Sequence, residues 1–398
     1  MSNTPAPMID VLVIGAGPAG GQCARALARN GWKVTLVEQH SDFDKNNFSS
    51  AGTLHSILAE FDLPRSIIGS EWKRLDIVTS KNHFQWMDSV AQGLVLDFAK
   101  LRAFLAEDMQ AHQGILLLQH KYIRHQVMPD HVVVTLLNRI TKKTLQIQAR
   151  IVVDATGPRH SVINQDGEPS QAYSTAVGLE YLIRAPTTCH AQDTLTFFLG
   201  DQWMPEGYGW IFPMEAGIYK VGVAVYLADP QQKSAPLPPY LHKILEDYLQ
   251  LEHYDLIDQH GGGVRYCHPQ YEHAYRGRIL AIGDAMSCIN ALGGEGIRHG
   301  MRSANLAAEY INKSLHEQKL CFALYRKAIL RQFSRDWRRC DRYSKMGYRL
   351  RAENRLDIVF RYLQKMPLAV LVDVLFHYRF GHLKWLMFKR FIRRLIKM

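Results

Sequence analysis

The residues best suited to chemistry sit in three glycine-bearing turns. In the first, Gly15-Ala16-Gly17-Pro18-Ala19-Gly20, three glycines follow the β-rich run 9–14 and open a helical run. Gly15 permits a tight turn, Gly17 lets backbone approach a pyrophosphate, and Gly20 lets helix and strand pack closely. The helix start at Pro18-Ala19 then presents free N–H groups to the phosphates. Glu38, followed by Gln39, ends the next β-rich run, 18 residues after Gly20. A carboxylate there accepts hydrogen bonds from the hydroxyls of an adenosine ribose. A bare GxGxxG also occurs at ordinary strand–turn–helix junctions. The strand, the helix and the terminal Glu in that order point to a dinucleotide.

The second turn is Val152-Val153-Asp154-Ala155-Thr156-Gly157, a β-rich run ending in small residues where backbone can lie against a cofactor. The third is Gly277-Arg278-Ile279-Leu280-Ala281-Ile282-Gly283-Asp284-Ala285. It delivers one carboxylate to the C-terminal end of a buried strand, the crevice where α/β sheets bind ligands. Asp284 is suited to accept from a ribityl hydroxyl of a flavin; its plainer use is a helix cap. Gly293-Gly294-Glu295-Gly296-Ile297 then opens a helix whose positive end suits a reduced flavin anion. A fourth segment, Pro205-Glu206-Gly207-Tyr208-Gly209-Trp210-Ile211-Phe212-Pro213, sends Tyr208, Trp210 and Phe212 to one strand face as flat apolar walls. Taken alone, such a triplet is more often plain core.

The three turns, in this order and at these distances, resemble the flavoproteins related to p-hydroxybenzoate hydroxylase. The resemblance implies FAD in a Rossmann-like domain with a β-rich substrate domain inserted between the second and third turns. Asp97-Phe98-Ala99-Lys100-Leu101-Arg102 is similar to that group's segment whose Arg approaches FAD, which implies a cofactor contact for Arg102; a surface helix charge is the alternative. The PxxYxWxFP pattern at 205–213 and the Gly-Glu-Gly-Ile run at 294–297 resemble the geranylgeranyl reductase branch. There the aromatic strip lines the cavity for an isoprenoid chain, which implies substrate contacts for Tyr208, Trp210 and Phe212. The likeness covers residues 8–315. One departure stands out: where the branch often carries Cys-Gly-Gly, this chain has Ser49-Ser50-Ala51-Gly52-Thr53, so no cysteine acts there.

The elements that must position these groups follow from periodicity. Helices are expected over 17–30, 53–61, 98–112, 241–251 and 294–314, and strands over 33–37, 116–118, 131–137, 145–153 and 278–282. Short β-like runs fill 173–225. The expected architecture is α/β. It comprises a discontinuous FAD-binding domain (1–170, with a β excursion near 71–95, and 271–330), an inserted β-sheet domain (171–270), and a helical, basic C-terminus (331–398).

Charge is uneven. Residues 331–398 hold 18 Lys/Arg against five Asp/Glu, a net of +13, leaving −2 for the first 330. A basic tail on a neutral body suggests docking to anionic lipid or an acidic partner rather than nucleic acid. Over 382–398, Trp385, Phe388, Phe391, Ile392, Leu395 and Ile396 share one helical face, opposite Lys389, Arg390, Arg393, Arg394 and Lys397. That pattern suits an interfacial helix on an anionic membrane. No CxxC pair occurs among the six cysteines, so no metal site and no dithiol are expected. The start lacks signal-peptide character and no 18-residue apolar run exists, so a cytoplasmic protein, peripheral on the cytoplasmic face of a membrane, is expected.

Three functions compete. The first is an FAD-dependent reductase of a C=C bond in an isoprenoid, quinone or related lipophilic substrate, with NAD(P)H as candidate electron donor and no catalytic proton donor assigned. The second is a monooxygenase or halogenase, marked by a long-lived flavin hydroperoxide on exposure to O₂. The third is a non-enzymatic flavin-binding membrane adaptor.

Overall fold

A computed structural model describes residues 8–45, 49–167, 173–227, 235–352 and 355–382. Its first sheet has eight strands. Five parallel strands run in the order Ile279–Ala281, Thr144–Asp154, Ile9–Ile14, Val34–Val37 and Ile115–Leu117. Valine, isoleucine and leucine dominate them, as expected for strands covered on both faces. The register places Ile14 beside both Val37 and Asp154, and Asp154 beside Ala281. The C-terminal ends therefore lie level, and three of the chemically suggestive turns leave the sheet along one crevice. The helices Pro18–Arg29 and Ile297–His316 pack on this sheet through Cys23, Ala24, Leu27, Ala304, Ala307 and Ile311.

A seven-stranded sheet runs in the order Asp255–Tyr266, Ser174–Arg184, Ile218–Leu227, Gly207–Pro213, Thr194–Leu199, Arg74–Val78, His83–Met87. Two strands from the 71–95 excursion thus join the sheet built from the later insertion. Gly52–Leu54, Gly93–Leu96 and Ile68–Trp72 form a three-stranded sheet between the two. One face of the large sheet packs Tyr181, Ile211, Val221 and Val223 on Leu241 and Ile244. The other gathers Trp210, Phe212, Leu75 and Trp86 with Leu368, Leu371 and Val372 of the C-terminal helix Leu368–Leu375.

One expected helix is corrected and another starts earlier than expected. Residues 53–61 begin as the strand Gly52–Leu54, and only Ile57–Glu60 is helical. Pairing of Gly52 with Val95 and Leu54 with Gly93 overrides the weak local propensity. Residues 241–251 form the end of the helix Leu237–Lys243 followed by a π-helical turn, Ile244–Tyr248, which puts Ile244 and Leu245 in the core. At the C-terminus the helices are Phe322–Ala352, Leu356–Leu363 and Leu368–Leu375. Of the amphipathic stretch 382–398, all but His382 lies outside the described residues.

Candidate flavin and substrate site

The Gly15–Gly20 turn shows why each glycine is needed. Gly15 has φ +108°, and a Cβ on it would stand 2.3 Å from the Ala155 carbonyl oxygen. A Cβ on Gly20 would stand 1.9 Å from the Gly15 carbonyl oxygen. Nothing lies within 4 Å of a Cβ on Gly17, or on Gly157 across the crevice. The turn is thus closed toward the protein and open where a ligand would lie. Pro18 occupies the first helical turn, and Gly17 supplies no side-chain cap. Gly296, at the start of Ile297–His316, supplies none either. The contrast is the helix Phe98–Ala111, whose Asp97 carboxylate accepts from the Lys100 amide. The two helices aimed at the crevice keep their orphan donors for a ligand.

Glu38 is buried. Its carboxylate accepts from the Ala16 amide (3.1 Å) and the His40 amide (3.1 Å), which fixes it beside the glycine turn and leaves lone pairs for ribose hydroxyls. Gln39 uses its carbonyl to accept from Arg139. Arg102 is a buried brace, not a surface charge. Its Nε donates to the Ala16 carbonyl (3.1 Å), its Nη1 to those of Phe43 and Lys45, and its Nη2 lies 3.6 Å from Glu38.

Asp154 and Asp284 differ in use. Both Asp154 oxygens are spent on protein: Oδ1 accepts from the Thr156 amide and hydroxyl, and Oδ2 from the Val162 and Ile163 amides. Its role is to shape the loop that carries Gly157. Asp284 makes no side-chain hydrogen bond among the described residues, and burial raises its carboxyl above the usual range. A half-buried carboxylate at the crevice, with its lone pairs unspent on protein, is suited to accept from a ligand hydroxyl. Gly283 (φ +60°) gives its amide to Ser303, and Ala19 packs against Gly283 and Gly300, so Ala19 serves close helix packing.

The Gly-Glu-Gly turn is held from three sides. Arg298 grips Glu295 through two hydrogen bonds (2.8 and 2.7 Å), and Thr53 donates to the same carboxylate (3.2 Å). Against the burial that would raise it, Arg298 and His299 hold the Glu295 carboxyl well below the usual range. Tyr378 meets His299 and Asn290 and donates to Glu295. Ile297 packs beside Met301 in a separate small core.

The aromatic strip reaches this turn. The Tyr208 hydroxyl would lie 3.3 Å from a Cβ on Gly294 (φ +68°), and the Phe212 ring 2.8 Å from one on Gly52. Trp210 lies flat over Gly222, where a Cβ would come within 2.3 Å of the indole. Its Nε1 donates to Glu180 at 2.8 Å. Phe197 packs against Phe212, and the cover is Phe360, Leu363, Leu371 and Phe376. Lys220, buried on the same face, donates to the carbonyls of Ser49 (2.8 Å), Ser50 (3.4 Å) and Leu96 (3.2 Å). It pins the 49–53 segment, whose Thr53 meets Glu295. Sequence reasoning missed Glu180, Lys220 and Tyr378. Alternation along Ser174–Arg184 and Ile218–Leu227, with a charge at an otherwise apolar position, was the available signal for the first two. A separate polar cleft of about 370 Å³, lined by Asp76, His83, Cys189 and His190, contains none of these groups.

An open pyrophosphate turn, two uncapped helix starts, a ribose carboxylate and a free Asp284 fit FAD and define an FAD-dependent oxidoreductase. The chain belongs to the FAD binding domain family, whose model matches residues 8–319. It is similar to a digeranylgeranylglycerophospholipid reductase of Haloferax volcanii, 27% identical over 77% of this chain and 76% of that protein. A chloroplastic geranylgeranyl diphosphate reductase of Oryza sativa is 24% identical over 76% of this chain and 66% of its own length. Among solved structures, a geranylgeranyl bacteriochlorophyll reductase-like protein of Thermoplasma acidophilum superposes with a TM-score of 0.80, covering 95% of this chain and 99% of that one at 21% identity. The flavin-dependent brominase Bmp2 gives 0.65, over 90% and 94%, at 17% identity. These likenesses to solved structures establish the fold.

Proposed function

We propose that this enzyme saturates a C=C bond of a polyprenyl lipid or a related lipophilic substrate at a membrane surface. The observation that carries the reading is the aromatic face of buried Trp210 and Phe212 with half-buried Tyr208. It meets both turns that border the flavin position and is roofed by apolar residues of the C-terminal helices. A polar aromatic substrate would need hydrogen-bonding groups in that wall; a polyprenyl chain needs flat apolar ones.

Glycines 15, 17 and 20 with Glu38 and Asp284 would hold FAD. When bound, FAD supplies the hydride and takes it from a donor such as NAD(P)H. The chain's own residues do the rest. The uncapped start of Ile297–His316 places partial positive charge at one end of the site. Lys220 holds the 49–53 segment against it, and Phe212 and Trp210 exclude water from the reacting carbons. The names of the relatives support a geranylgeranyl substrate. The basic, amphipathic pattern of 382–398 supports docking on anionic lipid, on the cytoplasmic side, where a polyprenyl substrate would be found. Among the described residues no helix is long and apolar enough to cross a membrane.

The test is mass spectrometry of lipids co-purifying with the flavin-loaded protein and with Trp210→Ala. A polyprenyl compound retained by the first and lost from the second is expected; identical profiles would refute the assignment. A long-lived oxygen adduct after mixing the reduced protein with O₂ would point to monooxygenation or halogenation instead.

A further inference from the structure

Saturating a double bond needs a proton as well as a hydride, and the large sheet carries an unused acid on the face that holds the aromatic strip. Register sets Glu180 opposite Gly222, and Gly222 opposite Trp210, so the three share one row across three strands. The next row is Gly178, Ala224 and Tyr208. Beside Glu180 the floor is therefore made of Gly178, Gly222 and Ala224, with the Trp210 indole lying against Gly178 and Gly222. Glu180 is 1% exposed. Its Oε2 accepts from the Trp210 indole, and its Oε1 has no protein partner among the described residues.

The nearest cation does not neutralise it. Lys220, one row away on the neighbouring strand, has three donors and three carbonyl acceptors, so its ammonium is fully used. No contact of 4 Å or less joins it to Glu180 among the described residues. Burial raises the Glu180 carboxyl, with Lys220 and the Trp210 N–H acting against that shift. Burial lowers Lys220, with Glu180 and Asp97 opposing. Desolvation raises the half-buried Tyr208, and the Glu180 charge raises it further.

A row of polar side chains leads from solvent toward the same carboxyl, with no contact of 4 Å or less between His260 and Glu180 among the described residues. The edge strand Asp255–Tyr266 pairs with Ser174–Arg184 so that His260 lies directly opposite Glu180. Directly opposed side chains have Cβ atoms about 5 Å apart. His260 Nε2 is 3.4 Å from Asp258, and side-chain exposure falls from 47% at Asp258 to 10% at His260. Exposed carboxylate, half-buried imidazole and buried acid thus follow one another inward. The titratable and charged groups facing Glu180 are Lys220, Tyr208, His260 and Asp258, with Asp97 reaching Lys220 from the far side.

We propose that Glu180 is the acid that protonates the alkene, recharged from water through His260; this rests on the reductase reading above. The substrate π pair forms a C–H bond to the proton leaving Glu180 Oε1. The neighbouring carbon gains a hydride from the reduced flavin, so the alkene is reduced by two electrons and the flavin oxidised by two. The carboxylate left behind takes a proton that enters at Asp258 and His260.

The experiment compares the flavin-loaded wild type with Glu180→Gln and Glu180→Asp. Without substrate, the infrared difference spectrum between wild type and E180Q should contain the carbonyl band of a protonated carboxylic acid, moved but not lost in E180D. In single turnovers with a polyprenyl alkene in D₂O, E180Q should slow deuterium transfer to carbon by about 100-fold or more, with E180D recovering part of it. Absence of the acid band in wild type, or undiminished deuterium transfer in E180Q, would overturn the proposal. Failure of the reductase reading is distinguishable, because a wild type that saturates no alkene can still show or lack the acid band. If E180Q does not fold, the position of the band in E180D decides.

Discussion

A methyl group added at Gly17 should damage cofactor binding without damaging the protein. Gly17 sits at φ −73°, ψ 178°, extended backbone that alanine adopts freely, and its Cβ would meet no protein atom within 4 Å. Gly17→Ala should change flavin-free stability by no more than about 1 kcal/mol, the scale of a helix-cap substitution. The space the methyl enters is the side left open for the pyrophosphate. Overpacking of a close contact costs about 1–3 kcal/mol, which corresponds to FAD affinity about 5- to 150-fold weaker. Gly20→Ala is the internal contrast. Its Cβ would stand 1.9 Å from a backbone oxygen, so the helix Pro18–Arg29 must part from its strand. Loss of about 3 kcal/mol or more of flavin-free stability is expected there. The assay is thermal unfolding of flavin-depleted protein together with fluorescence titration by FAD. Wild-type FAD affinity in G17A, or equal destabilisation of the flavin-free protein by G17A and G20A, would refute the argument that this turn is shaped by a ligand.

Lys220→Met should leave the buried carbonyl of Leu96 and the half-buried carbonyls of Ser49 and Ser50 short of a donor and cost about 3 kcal/mol, read in denaturant unfolding, with FAD content falling as the 49–53 segment loosens. Tyr378→Phe removes the hydroxyl shared by Asn290, His299 and Glu295; about 1–3 kcal/mol of stability should go, and unchanged melting would show the contact to be idle. Glu295 should make the fold acid-sensitive: its folded carboxyl is held below an unfolded value of about 4.3, so it stabilises the fold above that pH and the contribution drains away as acid approaches the folded value. Glu295→Gln should flatten the pH dependence of unfolding below about pH 4.3. Removal of 383–398 should abolish cosedimentation with vesicles rich in anionic lipid at low salt while leaving FAD bound; persistent cosedimentation would refute the docking role of that stretch.

The glycine spacing and the carboxylate at 38 are legible in sequence because local chemistry dictates them. A strand that turns into a helix over a phosphate requires small residues at fixed offsets, and no distant partner can substitute. The same holds for the aromatic strip, since period-two alternation assigns Tyr208, Trp210 and Phe212 to one face without reference to what covers it. Asp154 and Asp284 look equivalent in sequence, each ending a buried strand. Only the fold separates them, because the amides of 156, 162 and 163 return to Asp154 while no side-chain partner reaches Asp284 among the described residues. Arg102 became a brace for the glycine turn because helix Phe98–Ala111 packs against Pro18–Arg29. Nor does sequence bring Tyr378 to Glu295 across 83 residues, or Lys220 to Ser49 across 171. Such pairings depend on which sheets and helices close over one another. That closure is set by the summed burial of many apolar faces, so the sequence alone named the cofactor class, and the tertiary structure decided which charged side chains surround it.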